Sequence, residues 1–316
     1  MARKFIEDIR PGDTIQQTFL VRDKQLRTQR DGAFYMDIDL ADRTGGVPSK
    51  FWNASREVFE VFAPDDFVLV KARAESYRGK LQLVVTDVRR VEASSVDVEE
   101  FLPRTAKDVS ALTARVRQLA GAIENAHLRA LLAAFLDDAE FLRGFQRAPG
   151  GVSIHHACLG GLLEHSVAVV NLALKAADAY PNLNRDLLVA GAILHDIGKI
   201  GSYEFARSFR YTDAGGLIGH LALGAAMIER RAEKIEGFPR PLLDQLLHII
   251  LSHHGEYAYG APVLPATAEA IALHYLDNLD AKLASFEVAM LDDYDEQSNW
   301  TEWNRTFERR LFKRKA

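Results

Sequence analysis

Cysteine is almost absent from this chain: Cys158 is the single one in 316 residues. An internal disulfide is therefore excluded, which fits a reducing compartment. Long apolar runs are missing too. Stretches such as 187–194 fall far short of the roughly 20 residues that a membrane-spanning helix needs. The opening MARKFIEDIRPGD places charges where a secretory signal needs an apolar segment, so a cytoplasmic protein with no membrane partner is expected. There is no excess of positive charge: the formal net charge is −5, which argues against a protein that coats nucleic acid with positive field. An enzyme acting on nucleic acid is not excluded, because bound metals can offset phosphate charge locally. No internal repeat, low-complexity tract or serine-centred nucleophile elbow is present.

What is present is ordinary globular composition, 48% hydrophobic and 26% charged, in a chain long enough for two domains. Residues 1–95 are nearly balanced in charge and read as strands. Phe34, Met36, Ile38 and Leu40 alternate with Tyr35, Asp37, Asp39 and Ala41, the two-residue period of a half-buried strand. Further strands are predicted at 14–21, 47–53, 67–74 and 80–91, with a short helix at 55–62. Five strands with that interruption suggest a small closed barrel of the oligonucleotide/oligosaccharide-binding (OB) type. From residue 96 the apolar spacing becomes helical. Amphipathic helices are predicted at 108–122 and 126–145, and others at 159–179, 185–198, 219–234, 239–254 and 266–291. The fold class is α+β multidomain: a barrel over 1–95, a helical connector over 96–150, a helical domain over 151–295 and a basic tail over 296–316.

The helical domain carries an unusual set of side chains. His165 interrupts a helix of leucines and valines, the pair His195-Asp196 ends an apolar helix, and His220 follows. The pair His253-His254 precedes Gly255, and Asp277 sits among leucines. An unpaired buried charge at Asp277 would be costly, so a metal partner accounts for it. Seven imidazole and carboxylate groups exceed one tetrahedral site and suit two metals sharing a carboxylate. On a helix, His195 and Asp196 project about 100° apart, so His195 could hold one metal while Asp196 bridges to a second. His274 reads as structural, and His127 and His248 as surface or supporting residues.

The order His, His-Asp, His, His-His, Asp resembles the HD-domain superfamily of metal-dependent phosphohydrolases, and 194–199, Leu-His-Asp-Ile-Gly-Lys, is close to its signature. The resemblance implies an all-α HD-domain helical bundle. It implies one metal on His165, His195, Asp196 and Asp277, and a second on Asp196, His220, His253 and His254. A barrel, a connector and this domain together are similar to the YhaM-type 3′–5′ exoribonucleases, as are the segments 154–157, 160–165 and 211–221. That resemblance implies two divalent ions, manganese first with iron, cobalt, nickel or zinc compatible. It also implies single-stranded RNA as partner, with single-stranded DNA as a second candidate.

Lys199, one turn after His195, is expected to hold a phosphate oxygen or Asp196. His156 and His155 are candidates to donate to phosphate or leaving group, with His156 and Lys199 joining Asp196 as catalytic residues. Arg207 and Arg210 are candidates for the RNA backbone. On the barrel, Lys50, Trp52 and Tyr35 combine cation and aromatic, the means by which such barrels stack single strands. A nucleotide phosphohydrolase or cyclic-nucleotide phosphodiesterase would use the same metal site, and a non-catalytic RNA-binding regulator would have lost ligands. Exposed helical faces permit a homo-oligomer. Trp300 and Trp303 read as packing residues.

Overall fold

The computed structural model describes residues 3–29, 32–52, 54–152, 156–205, 207–291 and 298–313. The chain divides into two compact units, one spanning Met1–Arg104 with Ala206–Ser208, the other Thr105–Phe205 with Phe209–Ala316.

The first unit is built on five strands: β1 (Thr14–Thr28), β2 (Phe34–Asp42), β3 (Gly45–Trp52), β4 (Phe67–Tyr77) and β5 (Lys80–Val91). They close in the order β1-β2-β3-β5-β4, with β3 and β5 parallel and the other pairs antiparallel. Closure removes the unpaired edges that an open sheet would expose. The short helix α1 (Arg56–Glu60) follows β3, its first turn capped by the Ser55 hydroxyl, which accepts the Val58 N–H. The alternation read in β2 is realised: Met36, Ile38 and Leu40 are buried with Phe19, Val21, Val68, Val70 and Leu83.

The first strand is longer than the predicted 14–21. Its first half pairs with β4 and its second half with β2, and a register shift between Val21 and Asp23 marks the bend. One strand thus serves both neighbours, which is how a five-stranded sheet curls shut. The second half, Arg22 to Thr28, carries mostly polar side chains, so no alternating apolar pattern announces it.

The second unit is helical: α2 (Val109–Gly121), α3 (Ala126–Leu136), α4 (Ala139–Arg147), α5 (Gly161–Ala179), α6 (Arg185–Leu194), α7 (Lys199–Ser202), α8 (Asp213–Leu217), α9 (His220–Ala232), α10 (Arg240–Ser252) and α11 (Ala268–Leu291). A two-stranded pair, β6 (Tyr203–Glu204) and β7 (Arg210–Tyr211), lies between α7 and α8. Asp108, Asn125, Asp138 and Asn184 cap α2, α3, α4 and α6 by accepting first-turn N–H groups, each such cap contributing about 1 kcal/mol. Residues of the segment read as a connector enter this unit at Thr105: Leu131, Phe135 and Phe145 share one core with Leu162, Leu188, Leu246 and Leu273. The helix predicted over 185–198 ends at Leu194, and residues 195–198 form tight turns in which the N–H groups of Ile197 and Lys199 reach back three residues.

Residues 298–313 form a small paired turn, with Trp300 bridged to Phe312 and Asn304 to Arg309. Trp300 meets the Phe312 ring edge-on, and Trp303 is 63% exposed. Neither is a buried packing residue; Thr301 and Leu311 take that place. No helix among the described residues is long and apolar enough to cross a membrane.

Candidate metal centre

Five helix ends or faces of the second unit converge on one point. α5 supplies His165, the turn after α6 supplies His195 and Asp196, α9 begins with His220, α10 ends into His253 and His254, and α11 supplies Asp277. The turn between α6 and α7 reaches the start of α9 because residue 198 has no side chain: a Cβ there would sit 2.0 Å from the His220 carbonyl oxygen. At the end of α10, Gly255 takes φ +78 and leaves room for the His274 ring, whose Nδ1 bonds the His253 carbonyl at 2.9 Å. Left-handed backbone of this kind costs a side-chain-bearing residue energy and glycine little.

The nitrogens and oxygens face one another. His165 Nε2 lies 3.0 Å from Asp277 Oδ1 and 3.1 Å from His195 Nε2, and His195 Nε2 lies 3.3 Å from Asp196 Oδ2. The other Asp196 oxygen, Oδ1, lies 3.4 Å from His220 Nε2 and 3.6 Å from His253 Nε2. His220 and His254 bring their Nε2 atoms to 3.2 Å. Asp196 therefore turns one oxygen toward His165 and His195 and the other toward His220 and His253.

The outer edges of the rings are anchored. Nδ1 of His195 bonds the Ala192 carbonyl at 2.9 Å, that of His253 the Ile250 carbonyl at 2.8 Å, and that of His254 the Tyr259 carbonyl at 2.7 Å. A carbonyl can only accept, so each Nδ1 carries a proton, and in the neutral ring each Nε2 then presents a lone pair inward. His165 is held instead by a carboxylate, Asp280 Oδ2, at 2.7 Å.

Electrostatics follow from this crowding. Burial pushes the Asp196 carboxyl up, but the Lys199 ammonium and the His195 ring outweigh it and hold it well below the usual range. Burial likewise raises Asp277, and its hydrogen bond to His165 turns the balance downward. Burial lowers His165, yet hydrogen bonds to Asp277 and Asp280 prevail, raising it to about 9. Burial takes His220 down to about 3 and also lowers His254. His220 and His254 are thus neutral and ready to ligate at neutral pH, whereas a cation at His165 must displace a proton.

The residues fit divalent ions on the structure's own terms. Asp196 Oδ1 is fully buried and accepts no hydrogen bond, an expensive condition for a carboxylate. Among the described residues, four overlapping groups have ligand atoms within 4.8 Å of one another: His165, His195 and Asp277; His195, Asp196 and His253; His220, His253 and His254; and, behind His165, His156, His165 and Asp280. Imidazole with carboxylate suits first-row transition ions.

Around the centre opens a cavity of about 570 Å³, bordered by Tyr203 of β6, Tyr211 of β7, Tyr259 after α10, and Asn278, Lys282 and Ser285 on α11. Lys199 is buried and donates to Asp196 Oδ2 and the Gly150 carbonyl, both at 2.6 Å, so of its two expected partners the structure supplies the carboxylate. His156 does not line the cavity; its Nε2 bonds Asp280 Oδ2 at 3.0 Å. His155 lies outside the described residues. Arg210 points its guanidinium at Glu204 at 2.9 Å and does not border the cavity. Arg207 groups with the first unit, 3.7 Å from Asp66. On the barrel, Tyr35 and Trp52 face each other in register with rings 5.1 Å apart, and Lys50 Nζ is 4.7 Å from the Tyr35 ring while bonding Asp37 at 2.7 Å. Asp280 belongs to no motif in the sequence, and its spacing, one turn beyond Asp277 on the same helix, is the signal that marks it.

Residues 162–282 match the HD domain and residues 20–91 match the OB-fold nucleic acid binding domain. The chain is 32% identical to the 3′-5′ exoribonuclease YhaM of Bacillus subtilis (strain 168) over 280 residues, covering 88% of each protein. It is equally identical to the protein of that name from Geobacillus sp. (strain WCH70), covering 88% of this chain and 86% of that one.

Proposed function

This chain belongs to the YhaM family of 3′-5′ exoribonucleases, and from that premise we propose that it hydrolyses single-stranded RNA from the 3′ end with two divalent ions. One observation carries the two-ion reading: the two oxygens of Asp196 address separate sets of imidazole nitrogens. His165, His195 and Asp277 would hold one ion, and His220, His253 and His254 the other, with Asp196 shared. Manganese is the expected ion, and iron, cobalt, nickel and zinc are compatible with the same donors. Such ions supply an activated water and neutralise charge on the phosphoryl oxygens.

The protein's own groups do the rest. Lys199 fixes Asp196 by holding Oδ2 from the side. Tyr211 and Tyr259, both exposed at the cavity border, offer faces on which an unpaired base can stack, and Lys282 offers a cation to the backbone. On the barrel, Tyr35, Trp52 and Lys50 form the patch suited to gripping the strand away from the scissile bond. The near neutrality of the barrel favours salt-sensitive, moderate binding. The exposed apolar stripe Ile271, Tyr275, Leu279 and Leu283 on α11 supports association of two copies through that helix.

The test is incubation of 5′-end-labelled single-stranded RNA with manganese, followed by sizing of products. A ladder shortening from the 3′ end with release of mononucleotides is expected. Intact RNA alongside cleavage of a cyclic dinucleotide would replace this reading with a phosphodiesterase, and equal cleavage of DNA would widen the substrate.

A further inference from the structure

Every liganding ring whose outer nitrogen has a partner described above is anchored by a backbone carbonyl, with one exception. His165 depends on a side chain, Asp280, which reaches its Nδ1 at 2.7 Å. The same oxygen, Oδ2, also receives Nε2 of His156 at 3.0 Å. Asp280 and Asp277 stand three residues apart on α11, so one turn of helix presents one carboxylate to each edge of the His165 ring.

The connections continue. The His156 carbonyl accepts the Gly150 N–H at 2.9 Å, and the Gly150 carbonyl accepts the Lys199 ammonium at 2.6 Å. Lys199 then returns to Asp196 Oδ2 at 2.6 Å. The path Asp280, His156, Gly150, Lys199, Asp196 thus runs from behind one metal-binding residue around to the shared carboxylate. His156 itself adopts φ 50, a strained backbone for a residue with a side chain, which this bonding offsets.

We propose that Asp280 is a positioning residue: it fixes the tautomer and ring angle of His165, and through His156 it ties that ring to the turn that braces Asp196. This inference rests on the two-ion reading above. It moves His156 from a candidate donor to the leaving group to a part of the frame. Carboxylates that accept from the outer nitrogen of a liganding histidine make the ring a better ligand, and their loss typically weakens metal binding by about 10–100-fold.

The physics makes a selective prediction. Asp280→Ala removes the acceptor, frees His165 to rotate or change tautomer, and leaves the anchors of His195, His253 and His254 in place. Asp280→Asn keeps the shape and one oxygen acceptor, so it should retain most of the orientation. The experiment is a titration of metal-stripped full-length protein with Mn2+ by calorimetry, without RNA, on wild type, Asp280→Ala, Asp280→Asn and His156→Gln, with circular dichroism confirming the fold.

The expected result is two manganese ions in wild type, with one of them bound about 10–100-fold more weakly in Asp280→Ala. Asp280→Asn should recover most of that loss and His156→Gln should lose less than Asp280→Ala. Hydrolysis by Asp280→Ala should return toward the wild-type rate as Mn2+ is raised to saturation. Unchanged manganese affinity in a folded Asp280→Ala overturns the proposal. So does activity that stays lost at full occupancy, which would mark Asp280 and His156 as proton carriers. A wild type that binds no manganese would defeat the metal centre itself, and so is distinguishable from failure of this inference alone.

Discussion

The barrel and the helical unit treat polar side chains in opposite ways. Among described residues of the barrel unit, the buried polar groups are Asp42 and Ser49, and the aromatic Trp52 stands 43% exposed beside Lys50. The helical unit buries His165, His195, Asp196, Lys199 and His253 among leucines and isoleucines. Burying such groups costs several kcal/mol each unless partners compensate. A protein keeps that arrangement where the groups have work to do together. The barrel's candidate contacts lie at the surface and cost little; those of the helical unit are buried, costly and interdependent.

The sharpest way to break this contrast is at Asp196. Asp196→Ala should reduce manganese-dependent hydrolysis to background and also leave the buried Lys199 ammonium without its carboxylate, costing about 3–5 kcal/mol. Asp196→Asn should abolish activity with a smaller fall in Tm, because the volume and an acceptor survive. Persistent hydrolysis in either variant would end the bridging role. Next in size is Trp52→Ala, expected to weaken single-stranded RNA binding by about 1–3 kcal/mol with little change in Tm and no change in cleavage of a dinucleotide. Fluorescence anisotropy and thermal melting would check it. Equal losses on long and short substrates would mean that barrel and centre are not separable.

The smallest effect is expected at Cys158. Burial and then the Glu164 charge push its thiol up to about 12. A raised thiol stays protonated at every pH below that value, so at pH 8 it is a poor nucleophile. A chromogenic disulfide reagent should modify this half-buried thiol slowly in native protein and rapidly after unfolding. Rapid native reaction would contradict the raised thiol.

The deep parts of both units could be read from the chain because burial leaves a pattern. Alternation at Met36, Ile38 and Leu40 announces β2, and His165 among leucines and valines announces the centre. The parts that escaped were those whose determinants are polar or local. The second half of β1 pairs through its backbone while most of its side chains are polar and only Leu26 packs against the barrel core. The turn at His195 to Gly198 continues an apolar run, so periodicity extends the helix past its end; the close approach of His220 to Gly198 exists only in three dimensions. Asp280 resembles any acidic residue on an exposed helix until the outer nitrogen of His165 is seen to need an acceptor. Arg210 pairs with Glu204 six residues earlier, across the short β6–β7 ladder, a contact that no periodic pattern announces.

The main-chain anchors at residues 192, 250 and 259 have a consequence for variation. Any amino acid at those positions supplies the same carbonyl, so the rings of His195, His253 and His254 are insulated from mutation in the layer behind them. His165 answers instead to a side chain, Asp280, as Asp196 answers to Lys199. Drift or deliberate redesign of the centre would therefore find an adjustable handle at 280, behind His165, and fixed main-chain acceptors behind His195, His253 and His254.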